Sequence, residues 1–446
     1  MRWLVLALLA CPAVALANGR APATNGVHLR PGDDHAMYVA ATFGLLISHD
    51  DGCTFRWVCE DNLGYRGTFD PKYRIAADGT IYATTYFGLR VSRDGGCTFT
   101  TATAELPAGD PGRIADVWIE AIDVGPAGEV WVATADGTRP NDVYRSTDGG
   151  RTFTGRGMYS ATIWWKSLAI APSRPQRVYA TGYDMVGAKG ADAAPMPSGH
   201  FFVTDDGGDH WVPSPLTDVA FGTPPLPYAV GVMPTKPDVV LMVSSGANPP
   251  LGDRLYRSTD GGMTWTEVLA TTAAILDVSI SQGGVVLVAA KGAAYRSTDE
   301  GATFTTPSSA PQLACVTQHP DGTAVGCAAN WQPDYAAVAR STDGLRWDKV
   351  FRFVELAGPL ECPAGTPQRE LCAGQWPTLQ QQFATTGPTC NALPDDTPVT
   401  PPRGGCCDAR GREPVGALAL AGVCLAWLRR RRQPASSSAS ASRQLG

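Results

Sequence analysis

Short apolar runs alternate with turn-forming clusters along most of this chain. Residues 117–124 and 129–134 are two such runs, split by Gly125-Pro126-Ala127-Gly128. Residues 275–280 and 285–290 flank Gln282-Gly283-Gly284, and residues 313–318 and 323–329 flank Pro320-Asp321-Gly322. Each pair reads as two antiparallel strands joined by a tight turn. A third run then leads into the sentence Ser-x-Asp-x-Gly-x-Thr-aromatic, as at Ser258-Thr259-Asp260-Gly261-Gly262-Met263-Thr264-Trp265. Full copies occupy residues 48–55, 92–99, 146–153, 204–211, 258–265 and 297–304, and a copy one residue shorter occupies 341–347. The Ser and Asp side chains can bond amides that a tight turn leaves unpaired, and the Gly supplies a positive φ. A β-prone run follows the aromatic, so each copy joins a third strand to a fourth. The copies start 39 to 58 residues apart, the length of one supersecondary unit. Seven four-stranded antiparallel units predict an all-β, seven-bladed β-propeller over residues 18–354.

This residue pattern is the Asp box, and the region from Val27 to about Val354 resembles the sialidase, xyloglucanase and sortilin superfamily of propellers. In that superfamily the boxes lie on the rim away from the ligand face. The resemblance therefore implies structural roles for Asp50, Asp94, Asp148, Asp206, Asp260, Asp299 and Asp343.

The flanking segments predict an exported, anchored protein. Residues 1–17 carry Arg2, an apolar run and Ala15-Leu16-Ala17, the marks of a secretory signal, while Leu8-Leu9-Ala10-Cys11 loosely resembles a lipobox. Residues 355–390 read as a Cys-rich cap or stalk with a short helix near 379–383, and 391–405 as a Pro/Thr-rich linker. Cys406-Cys407, an apolar helix over 415–428 and four arginines to Arg432 resemble the MYXO-CTERM sorting signal. The resemblance implies a sorting protease, lipid attachment near Cys406 or Cys407 and cell-surface display. Residues 433–446 extend beyond the usual end of that pattern and read as a disordered tail. Of the 12 cysteines, Cys11 belongs to the signal and Cys406, Cys407 and Cys424 to the tail; export makes the other eight disulfide formers rather than metal ligands. Cys315 and Cys327 flank a turn symmetrically; Cys53 with Cys59 and Cys362 with Cys372 form candidate local loops; Cys97 and Cys390 have no assigned partner.

The net charge of −6 forms no basic stripe, which argues against nucleic acid. The six histidines lack metal-ligand spacing, and no phosphate-cradling or Gly-x-Ser-x-Gly motif occurs. No cofactor or metal is expected. Three function classes remain. Glycoside hydrolysis needs paired carboxylates, and Asp116, Glu120, Asp184 and Asp334 show no pairing in their spacing. The sialidase Arg-Ile-Pro motif has only Leu29-Arg30-Pro31 ahead of the first box and Tyr73-Arg74-Ile75-Ala76 after it, and sialidases have six blades; xyloglucanases build two propellers with a cleft between. Single seven-bladed Asp-box propellers instead look like the photosystem II assembly factor, which holds a partner. Trp118 with Glu120, Trp164 and Trp165 beside Lys166, Tyr183, Asp184, and Trp331 with Asp334 are the candidate ligand face. Alternation along a strand sends only one of Trp164 and Trp165 inward. Insertions at 183–200 and 246–253 are placed on that same face. The preferred expectation is a non-catalytic surface propeller binding a protein or glycan; a glycosidase and a structural envelope protein are the alternatives.

Overall fold

The computed structural model describes residues 21–65, 69–185, 198–222, 225–245, 252–306 and 310–390. The signal segment, the linker, Cys406, Cys407, the 415–428 helix and most of both insertions lie outside the described residues. Among the described residues no helix is long and apolar enough to cross a membrane.

Seven antiparallel sheets follow one another along the chain. Their innermost strands are Thr24–Arg30, Tyr73–Ile75, Ile119–Val124, Ile163–Ile170, Pro227–Met233, Ile275–Ile280 and Cys315–Gln318. Each touches the next, and the last touches the first, so the strands surround a central axis. This is a seven-bladed β-propeller. Six blades hold four consecutive strands; in the sixth, the fourth strand is reduced to the bridge Arg296–Thr305. Apolar clusters sit between blades, as where Trp131, Trp165 and Leu168 join blades three and four.

The boxes make the same turn each time. In the third blade Ser146 Oγ donates to Asp148 Oδ1 at 2.7 Å and accepts from Gly150 N at 2.9 Å. Asp148 also accepts from Thr152 N and Oγ1. The shortened seventh box keeps the scheme with one residue fewer, since Gly344 N donates to Ser341 Oγ. The turn glycine does two jobs. Gly262 has φ of +90°, and a Cβ there would meet the Phe201 ring of the preceding blade at 2.7 Å. Gly52 repeats this across the ring seam, where a Cβ would meet Val350 of blade seven at 2.5 Å. Box glycines are thus inter-blade joints as well as turn formers.

Among the described residues, blades one and seven exchange none of their four strands. The seam is held by side chains: Phe55 packs on Phe351 with centroids 4.4 Å apart, and Thr24 Oγ1 donates to Ala337 O. Arg340 Nη2 reaches Asp51 O. Residues 355–390 then form a strap over this region. Gly358–Pro359 adds a fifth strand to blade one, parallel to Arg56–Cys59. The helix Trp376–Phe383 buries Leu379 and Phe383 in the same cluster as Phe55, Trp57 and Phe353. The segment is therefore part of the propeller, not a separate stalk, because its apolar side chains cover the outer edge of blade one.

The cysteines correct the local-loop expectation. The bonds are Cys53–Cys390, Cys59–Cys372, Cys97–Cys362 and Cys315–Cys327. Cys53 stands in the box turn and Cys59 at the far end of the strand Arg56–Cys59. That puts about 10 Å of extended chain between them, beyond disulfide reach. Cys362 faces Cys97 of blade two, and Cys372 faces Cys59 of blade one. Three bonds thus tie the strap to blades one and two; the fourth bridges paired strands within blade seven.

Two outcomes are expected. Replacing Cys59 and Cys372 by Ser lowers unfolding stability by about 2–5 kcal/mol, read by denaturant melts under oxidising conditions; an unchanged midpoint would show that the strap holds without that bond. Burial works against the charge on Asp148, but hydrogen bonds from Thr152, Ser146 and Arg151 outweigh it and hold its pKa at about 2. A depressed folded pKa stabilises above the unfolded value and loses that contribution as pH falls through the folded value. Asp148→Asn should cost about 1 kcal/mol at pH 7, and the gap to wild type should close as urea melts are repeated toward pH 2.

Candidate functional site

The strand registers define two faces. In blade three Val130 pairs with both Ser146, which opens the box, and Val124, which ends the inner strand. The boxes therefore share a face with the ends of the inner strands, and the starts of those strands lie on the opposite face. Trp118 and Glu120 stand at such a start, as do Lys72, Trp164 and Lys166 on the neighbouring blades. Tyr183 is the last residue but one of the second strand of blade four, and Tyr86 and Phe87 form the turn between the middle strands of blade two. All of these belong to the face opposite the boxes.

Here the side chains form a continuous aromatic strip. Phe69 contacts Tyr86 at 4.7 Å between centroids, and Tyr86 contacts Trp118 at 4.8 Å. Trp118 meets Trp164 at 5.9 Å, and Trp164 meets Tyr183 at 5.8 Å. The rings are tilted or edge-on to one another, the geometry that aromatic quadrupoles favour. Phe69, Trp118, Trp164 and Tyr183 are half-buried, while Tyr86 is 40% and Phe87 65% exposed. Blades two, three and four thus share one apolar, solvent-facing ridge.

Beside it lies a charged cluster. The Glu120 carboxylate is buried, and its Oε1 accepts from both Lys72 Nζ, at 2.9 Å, and Lys166 Nζ. Lys72 Nζ also donates to Glu120 O and lies 5.8 Å from the centre of the Tyr228 ring. Strand register breaks between Trp165 and Ser167, so Lys166 occupies a β-bulge. Burial, helped by the negative charge of Glu120, pushes the Tyr183 phenol up to about 12. One carboxylate thus serves two ammonium groups, each about one third exposed.

The remaining candidates go elsewhere. Trp165 is 2% exposed and donates to Met158 O, filling the core between blades three and four. It is not a ligand-face residue, because alternation turns it away from Trp164. Asp184 accepts from His200 Nε2 and Ser198, fastening the two ends of the blade-four insertion. Trp331 and Asp334 belong to a loop of blade seven, away from the strip, where Asp334 accepts from the Gln312 and Ala329 amides. Asp116 pairs with Arg113. Asp116, Asp184 and Asp334 have local partners and Glu120 is paired across blades, so no two of the four share a partner. Two shallow depressions in the surface, one around Arg257 and Thr264 and one around Asp110 and Arg139, include none of the strip.

The BNR/Asp-box repeat family matches the chain at residues 256–267. No curated protein matches it. Among solved structures, the chain is similar to the GH74 xyloglucanase from Xanthomonas campestris at 17% identity and a TM-score of 0.49, covering 77% of this chain and 61% of that one. It is similar to the GH74 enzyme of Niastella koreensis at 16% identity and TM-score 0.41, covering 73% and 65%. It therefore spans less than two thirds of either enzyme. YCF48 from Cyanidioschyzon merolae is 15% identical with TM-score 0.45, covering 68% of this chain and 92% of that one. Similarities of this size carry no argument about activity.

Replacing both Lys72 and Lys166 by Met leaves Glu120 buried without a counter-charge. The expected cost is about 2–3 kcal/mol, below that of a fully buried pair because the lysines are partly solvated. Adding Glu120→Gln should recover most of it in urea melts. A triple variant no more stable than the double one would show that the lysine stems, not the charge pairing, supply the stability.

Proposed function

We propose that this propeller is a non-catalytic binding module that captures a protein or glycan partner through its aromatic face. The carrying observation is the strip from Phe69 through Tyr86, Trp118 and Trp164 to Tyr183, held half-open on three rigid blades. Aromatic side chains offer large contact area with few rotatable bonds, and they dominate binding hot spots. Glu120, on the same face as the strip, has its carboxylate engaged by two lysines.

The protein is proposed to work outside the cytoplasm, at the cell envelope. The eight cysteines at the described positions all form disulfides, as suits an oxidising compartment. The signal-like residues 1–17 and the Cys406-Cys407 tail support export followed by membrane or lipid anchoring through a sorting protease.

The decisive experiment pairs binding with turnover. Wild type, Trp164→Ala with Tyr86→Ala, and Glu120→Gln are screened against immobilised envelope proteins and glycans and against fluorogenic glycosides. Expected is binding weakened at least tenfold, about 1.4 kcal/mol, in the aromatic variant at an unchanged melting temperature, with no turnover in any. Glycoside turnover abolished by Glu120→Gln would replace this reading with a glycosidase.

A further inference from the structure

The strip and the lysine cluster lie on the same face, and together they narrow the partner. The side chains of the strip are all aromatic; the exposed large aliphatic residues lie elsewhere, Val212 beside the box of blade four and Leu276 and Leu345 on blades six and seven. A strand or helix of another protein is seated in pockets for its alternate side chains, and neither depression described above lies in the strip. A row of rings in mutual contact suits sugar rings, whose C–H faces pack on aromatic faces while their hydroxyls remain hydrogen-bonded.

The charge selects among sugars. Lys72 and Lys166 share the single Glu120 carboxylate, so the cluster carries one uncompensated positive charge. Lys72 directs two of its three protons to Glu120 and Lys166 directs one, so donors remain on both partly exposed ammonium groups. Asp184, the nearest acid to Tyr183 along the chain, is occupied by His200 and Ser198.

We propose, building on the binding reading above, that the ligand is a linear anionic polysaccharide. Its sugar rings lie along Tyr86, Trp118 and Trp164, and its acidic groups meet Lys166 and Lys72. The acidic group is a carboxylate or a sulfate.

The test uses the full-length chain in affinity electrophoresis and calorimetry with polygalacturonate, dextran sulfate and neutral dextran. Expected is binding to at least one acidic polymer ten times tighter than to dextran, weakened at least fivefold by raising salt from 50 to 500 mM. The polymer that binds identifies the acidic group. Lys166→Gln leaves the Lys72–Glu120 pair in place, so the fold is retained; it should remove most of the preference for the acidic polymer. Trp164→Ala should weaken the acidic polymer even at high salt. Equal affinity for dextran, or a preference untouched by Lys166→Gln, overturns the anionic assignment while leaving a glycan-binding face. Binding to none of the three overturns the saccharide inference; loss of an envelope-protein contact in the aromatic variant would then still support the broader binding reading.

Discussion

A ring of wedge-shaped sheets must close, and everything else in this molecule depends on how it does so. Each blade is complete in itself, so the joint between the last and the first has to be made by packing. The box glycines supply part of it: Gly52 lies against Val350 at the seam as Gly262 lies against Phe201 elsewhere. A side chain at either point would push two blades apart. The turn chemistry and the packing of blade on blade are therefore one constraint, which accounts for the same glycine standing in every copy.

The strap completes the closure. Blade one would otherwise end in the bare edge strand Arg56–Cys59, a template for unwanted pairing. Gly358–Pro359 occupies that edge, and its covalent ties reach back to blades one and two. The rigid ring in turn holds side chains from separate blades in fixed register, so that Tyr86, Trp118 and Trp164 form a surface none could form alone.

Much of this was legible in the sequence because it is local. Box, turn and strand patterns lie within a few residues, and the expected strands at 275–280 and 129–134 match Ile275–Ile280 and Val130–Thr134 within one residue. The Cys315–Cys327 bond spans a single hairpin. The other three bonds join positions 265 to 337 residues apart, and no spacing rule reaches that far. The site was half legible. Trp118, Glu120, Trp164 and Tyr183 stood out by residue type and by their places at strand ends. Phe69, Lys72, Tyr86 and the pairing of Lys166 with Glu120 did not, because they matter only once blades two and four are set beside blade three. Lys72 and Lys166 do share one signal: each lies at the start of an inner strand on a blade flanking Glu120.

The strap linkages also bear on the order of events during biogenesis. Cys53, Cys59 and Cys97 leave the ribosome long before Cys362, Cys372 and Cys390. An oxidase that joins cysteines in order of appearance would link Cys53 to Cys59, a pairing the folded ring has no place for. Maturation therefore requires either that these thiols stay reduced until the last blade is delivered, or that an isomerase corrects them afterwards. A polypeptide truncated before Cys362 retains all seven boxes and can never acquire the latch.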